Sequence, residues 1–398
     1  MKALIIGGSI GGLFAALLLR RRGIDVTVFE RARAGLSGRG AGIATHPQIL
    51  QVLVHLGLDT AALGVTVELR RMFGLDGRMI AQQRRSQTMT SWDRLFTLLR
   101  AALPDECYRP GQEFIRWQQH GNGVIAYFAD RSNATGDLLI GADGLRSSVR
   151  QAVLPEQPLL YAGYVAWRAL AAERSFSPAL HQDLFDALAF CLPPGEQMLG
   201  YPVAGPDNDL RPGHRRYNIV WYRPADEAGR ARLLTDASGR QYEISIPPPL
   251  IPDAAIADLR AAAQALLAPQ FREVVGFADR PFLQPIYDIA VSRMGFGRVA
   301  LIGDAAFVAR PHVGAGVAKA AQDAAALADA LAAGSEVERA LEVFQAARLP
   351  IGHRIVARAR DLGTAMQAQH ASAHERAMAV RYRDPAAVLT DTATLNFL

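Results

Sequence analysis

The stretch Ala3-Leu4-Ile5-Ile6-Gly7-Gly8-Ser9-Ile10-Gly11-Gly12-Leu13 decides the fold. Four apolar residues predict a short buried strand, and the glycine cluster predicts a tight turn. The apolar-rich run that follows to Arg22, stopped by Gly23, predicts a helix. Val26-Thr27-Val28-Phe29 is a second β-rich run, ending on Glu30, 23 residues after Gly7. Residues 2–30 therefore read as one βαβ unit with parallel strands, the start of a doubly wound α/β sheet. The turn fits G-x-G-x-x-G at Gly7 and Gly12, with Ser9 at the middle glycine and Gly11 beside the last. A strand before it, a helix after it and an acid closing the next strand suit a dinucleotide. Its pyrophosphate would meet the helix N-terminus, and Glu30 would accept from ribose hydroxyls.

Two more glycine-acid turns follow strands. Gly141-Ala142-Asp143-Gly144 runs through Leu145-Arg146-Ser147-Ser148-Val149-Arg150 into a helix. Gly303-Asp304-Ala305-Ala306 follows the strand Val299–Ile302 and precedes Pro311-His312-Val313-Gly314-Ala315-Gly316 and an alanine-rich helix. Singly, each is a common Asp-Gly turn with a helix cap. Three in one chain exceed chance.

The 398 residues suit two or three domains, or one large α/β unit with a lobe. Helical spacing recurs over 48–56 and 92–103, short strands are predicted over 65–80, and 114–139 is strand-like. Residues 160–285 alternate strands with proline-rich loops, a separate antiparallel lobe. The expected division is a discontinuous nucleotide-binding domain (1–70, 92–158, 286–360), a β-sheet substrate lobe (71–91, 159–285) and a C-terminal helical tail (361–398). Half of the residues are hydrophobic, 20% are charged and the mean hydropathy is +0.07, which excludes a disordered chain. The net charge is +5, but the basic residues are dispersed, so no nucleic-acid partner is expected. No apolar run reaches membrane-spanning length, and Met1 leads straight into a strand, so a cytoplasmic protein is expected. Cys107 and Cys191 are too few for a disulfide framework, and no metal-ligand spacing occurs.

In this order and separation, GGSIGGL, GADGLRSSVR and GDAAFVARPHVGAG resemble the single-component FAD-dependent aromatic-ring monooxygenases along the whole chain. Tyr161–Arg168, Tyr201-Pro202 and Trp221-Tyr222 are similar to the 2,6-dihydroxypyridine 3-hydroxylase branch. The resemblance implies a Rossmann-like FAD-binding domain of the GR2 type, an antiparallel substrate lobe and a C-terminal helical segment. It implies that Gly7, Ser9 and Gly12 cradle the pyrophosphate of a non-covalent FAD, with Glu30 at the adenosine ribose and Gly11 and Arg31 also binding the cofactor. Arg39 would lie near the riboflavin or pyrophosphate, Asp143 and Gly144 on the shared flavin and nicotinamide approach, and Asp304 on the ribityl chain. Backbone from Pro311 through Gly314, Gly316 and Val317 would face the flavin ring. The family's Gln and Asn stand as Ala315 and Ala318, a common His as Phe307, an arginine as Trp92, and a glutamine of the pyridine branch as His46.

The residues themselves give no Ser/His/Asp arrangement, metal cluster or lysine nucleophile, so a cofactor must carry the chemistry. The expected reaction uses NADH or NADPH and O2 to hydroxylate a small phenolic or hydroxylated N-heteroaromatic ring through a flavin C4a-hydroperoxide. Candidates for a base or polarising group are His46, Tyr201, His312 and Tyr164. Tyr164, Trp167, Tyr201, Trp221 and Tyr222 are candidates to line the substrate pocket. Each of them equally suits ordinary core packing. Arg168 suits either an anionic substrate group or a surface ion pair. Rival readings are a flavin dehydrogenase or reductase without productive oxygen use, and a non-catalytic FAD-binding protein. A homodimer is left open.

Overall fold

The computed structural model describes residues 1–34, 36, 42–334 and 336–398. Strand β1 (Lys2–Ile6) lies between β2 (Asp25–Glu30) and β10 (Leu138–Gly141), parallel to both, with Ile5 opposite Val28 and Ile140. The sheet order is β16 (Gly295–Phe296), β17 (Val299–Leu301), β10, β1, β2, β6 (Tyr108–Pro110), and only β16 runs antiparallel to its neighbour. Because β1, β10 and β17 are adjacent and point the same way, their C-terminal ends carry the three glycine-acid turns to one edge of the sheet. That is where open α/β sheets bind ligands. The helices Ile10–Arg21 and Gly316–Ala332 follow the first and third turns and pack against each other. A small antiparallel sheet, β7 (Phe114–His120), β8 (Gly123–Phe128) and β9 (Asn133–Gly136), joins this half.

The second sheet has nine strands in the order β18 (Phe307–Val308), β15 (Phe282–Ala290), β11 (Leu160–Ala172), β14 (Arg216–Pro224), β13 (Gln197–Val203), β12 (Ala187–Cys191), β4 (Val65–Phe73), β5 (Met79–Ser91), β3 (Gly42–Ala44). It is antiparallel except where β12 lies parallel to β4. The short strands expected over 65–80 are instead a hairpin of two long ones, β5 running on to Ser91. Strand β4 crosses residue 70 and β15 crosses residue 286 without a break, so the sheets do not change at those two expected boundaries.

Alternation along these strands separates two apolar cores. One face of the sheet joins the core of the nucleotide-binding half, and the other packs on helices Asp253–Leu266 and Pro269–Phe277. Among the described residues no helix is long and apolar enough to cross a membrane. The C-terminal segment holds helices Ala373–Arg381 and Pro385–Asp391. Buried Arg70 fastens the second of them: its guanidinium donates to the carbonyls of Leu389 (2.7 Å) and Thr392 (2.6 Å). Those are C-terminal carbonyls that the helix cannot satisfy itself.

Candidate active site

Two adjoining cavities occupy the edge where the turns meet. The first, about 470 Å³, is lined by Gly7, Ser9, Gly11, Glu30, Arg31, Asp143, Gly144, Asp304, Gly316 and Val317. Gly12 lies behind it, and its backbone is the reason the turn is tight. A Cβ on Gly12 would stand 1.9 Å from the Gly7 carbonyl oxygen, while Gly7 itself has φ +108°. The Ser9 side chain makes no capping bond, and the first helical bond is Leu13 N–H to the Ser9 carbonyl. The first-turn amides are therefore left for an anionic ligand. Glu30 accepts from the amides of Gly8 (2.8 Å) and Ala32 (2.9 Å), which aims its carboxylate into the cavity. Arg39 lies outside the described residues.

Asp143 does the capping work that such a turn commonly does. It accepts from the Ser147 hydroxyl (2.5 Å) and from the amides of Ser148 (2.7 Å) and Val149 (3.2 Å), capping the next helix. Burial raises its pKa against these bonds. Asp304 is half-exposed at the junction of the two cavities, its carboxylate 3.4 Å from Nζ of buried Lys319. The turn that carries it is pinned by Asp323, which accepts from the Gly303 amide (3.0 Å) and from Arg348 (2.7 Å).

The second cavity, about 260 Å³, has room for one substituted ring. It shares Asp304, Gly316 and Val317 with the first, and Pro311, His312, Gly314, Tyr201, Tyr222 and Arg168 also line it. Thr392 and Ala393 close one side, so the C-terminal segment, uninformative in sequence, supplies wall. His312 is held by both ring nitrogens. The Gln197 Oε1 can only accept, so Nδ1–H donates to it (3.3 Å) and Nε2 accepts from the Tyr164 hydroxyl (2.8 Å). Complete burial drives the His312 pKa down to about 3. Tyr164 thus stands behind His312 and not at the cavity surface, and its pKa is raised by burial. Burial likewise raises Tyr201, and Tyr222 to about 12.

Three expectations are corrected by strand and helix geometry. Trp167 and Trp221 oppose each other across β11 and β14 and point into the far core, away from the cavity. Their neighbours Arg168, Val220 and Tyr222 face it, because side chains alternate. His46, expected to meet substrate, is buried behind the wall, with Nε2 3.1 Å from the Gly314 carbonyl oxygen. Desolvation lowers its pKa to about 4, so it does not titrate near its ordinary value. The reading of sequence also left unassigned Trp92, which lines the first cavity and stacks on Phe96 at 4.8 Å. Its aromatic side chain at the entrance to a predicted helix was the available signal.

Both buried histidines make stability depend on acid. Their folded pKa values lie below the unfolded value near 6.5, so below that pH the unfolded chain takes up protons that the folded chain refuses. Stability is then expected to fall by about 1.4 kcal/mol per pH unit for each histidine, down to its folded pKa. Urea unfolding of wild type and His46→Gln at pH 7, 6 and 5 checks this. The variant should lose part of the decline, and equal slopes would count against the burial of His46.

A family model described as an FAD binding domain matches residues 1–159 and 253–359, and one described as FAD binding domain-like matches 161–288. The chain belongs to the FAD-binding family. The 2,6-dihydroxypyridine 3-monooxygenase of Paenarthrobacter nicotinovorans is 31% identical over 365 residues, covering 91% of each chain. The solved structure of 2,6-dihydroxypyridine-3-hydroxylase from Arthrobacter nicotinovorans superposes with a TM-score of 0.87 at 30% identity, covering 92% of each chain. Klebsiella pneumoniae HpxO complexed with FAD and uric acid superposes with a TM-score of 0.78 at 25% identity, covering 96% of this chain and 92% of that one. The cradle at Gly7–Gly12, the carboxylate of Glu30 and the uncapped amides of Gly316 and Val317 fit FAD. The chain is an FAD-dependent monooxygenase of aromatic rings.

Proposed function

We propose that the protein hydroxylates a small hydroxylated N-heteroaromatic ring, of hydroxypyridine type, next to an existing ring oxygen. The observation that carries this is the second cavity, sized for one ring and sharing Asp304, Gly316 and Val317 with the first. When bound, FAD supplies reduction by NAD(P)H and the activation of O2. Glu30 would hold the adenosine ribose, the amides of residues 10–12 the pyrophosphate, and Asp304 the ribityl chain. Gly316 and Val317, at the start of a helix whose cap Ala315 offers no side-chain bond, would offer amides and the positive helix end to the flavin. Leu188, Leu199, Val220 and Ile286, with Thr392 and Ala393, keep water from the ring. Cys107 and Cys191 are both free and buried, which suits a cytoplasmic enzyme.

The test is a panel of hydroxypyridines, hydroxynicotinates and hydroxybenzoates, scored by how much each accelerates flavin reduction by NAD(P)H. Hydroxypyridines are expected to lead, and acceleration by hydroxybenzoates alone would reject the substrate class. Opening the wall by Tyr201→Ala is expected to raise hydrogen peroxide release per NAD(P)H consumed by several-fold. Trp221→Phe, on the far face, should leave that ratio unchanged. Equal ratios in wild type and Tyr201→Ala would remove Tyr201 from the site.

A further inference from the structure

Arg168 is anomalous among the buried and half-buried guanidinium groups. Arg310 is held by Asp288, Arg348 by Asp323, Arg70 and Arg150 by backbone carbonyls. Each of these also keeps a partner, even where one nitrogen, as Nε of Arg70, is left over; among the described residues Arg168 has no carboxylate within ion-pair distance, and its buried Nε has no hydrogen-bond partner. The surface ion pair that its sequence position allowed is not formed. Its place on β11, opposite Val220 of β14, puts it on the cavity face with Tyr201 and Tyr222.

Among the described residues the rest of the wall offers neither a counter-charge nor a base. Asp304, at the rim, faces Lys319, and Arg310 is turned to Asp288. His312 is held neutral between Tyr164 and Gln197. Tyr201, Tyr222 and, toward β15, Tyr287 all keep their protons, their pKa values raised by burial. A guanidinium without an ion-pair partner in the wall of such a cavity is stabilised by an anion, through a charge-assisted hydrogen bond.

We propose that Arg168 is the counter-ion for an oxyanion on the substrate ring, so that the cavity takes the ring as its monoanion, already ionised in water. This rests on the reading of the second cavity as the ring site and adds to it a charge state. The proton is lost to solvent before binding, and no protein group has to remove it. The oxide so held is more electron-rich than the parent hydroxyl, which favours attack by the ring on an electrophilic oxygen. A ring carboxylate carries the same charge, and the probes below separate the two.

The experiment is anaerobic titration of the FAD-loaded protein, read by the change in flavin absorbance, in wild type, Arg168→Met and Arg168→Lys. The probes are 2,6-dihydroxypyridine, 2,6-dimethoxypyridine and 3-hydroxybenzoate. For wild type, the Kd of 2,6-dihydroxypyridine is expected to weaken by about tenfold per pH unit below the probe's own pKa. Arg168→Met should weaken it on the order of 100-fold above that pKa and abolish the slope. Arg168→Lys should restore part of the affinity, and dimethoxypyridine should bind all three proteins within about threefold.

Wild-type affinity for the dihydroxypyridine in Arg168→Met, or an equal loss for the dimethoxy probe, overturns the proposal. Tighter, Arg168-dependent binding of 3-hydroxybenzoate overturns the ring-oxide assignment in favour of a carboxylate. If the dihydroxypyridine binds in the expected Arg168-dependent way but is not hydroxylated, the substrate reading fails and the anchor stands. Binding of no probe by wild type rejects both.

Discussion

Gly12→Ala is expected to give a protein that emerges from purification with less than about a tenth of the wild-type FAD content and is less stable by at least about 3 kcal/mol. The added Cβ would lie 1.9 Å from the Gly7 carbonyl oxygen, and both groups are backbone-fixed. The helix Ile10–Arg21 would have to leave the sheet edge, taking with it the amides that face the pyrophosphate. Gly11→Ala is the internal control. Its Cβ would make an ordinary 3.6 Å contact with the Cβ of Ala320, so the FAD-free protein should keep its urea midpoint or gain slightly from better helix propensity. Equal stability of the two variants would show that the turn is not the close approach described.

Asp288→Ala is expected to lower the unfolding free energy by about 3–5 kcal/mol. Asp288 is buried and accepts from Arg310 through Nε and an Nη (3.0–3.3 Å) and from Arg360 (3.2 Å). Its loss strands the Arg310 guanidinium, which is 6% exposed, one residue before Pro311-His312 and the cavity wall. The exposed pair Arg280–Asp253 provides the comparison, and Asp253→Ala should cause no measurable change. Urea unfolding of both variants decides the matter. A small loss in Asp288→Ala would mean that water reaches Arg310.

The nucleotide-binding half was legible because its signals are local. A strand, a glycine turn and a helix lie within twenty residues, and the acid that completes the site ends the very next strand. The second sheet depends on pairings that no window reveals, such as β12 lying parallel to β4 more than a hundred residues away. The substrate wall needed the phase of each strand as well as its presence. With a period of two, Tyr222 faces the cavity and Trp221 does not, and shifting the phase by one residue exchanges them. His46 was misread for another reason: its neighbour Gly314 is 268 residues away. Arg168 was legible only as an alternative, because the lack of a partner is a property of the assembled fold. The wall formed by Thr392 and Ala393 depends on Arg70 reaching across the fold to hold the preceding helix.

The central claim is that the protein inserts one atom of O2 into a substrate ring at the expense of NAD(P)H. Turnover of 2,6-dihydroxypyridine under 18O2, with product mass and NAD(P)H consumption followed together, tests it most directly. The account predicts one 18O atom per product molecule and one NAD(P)H per product, with no product formed anaerobically. Product without 18O, or NAD(P)H oxidation under 18O2 that yields no hydroxylated ring, would contradict it.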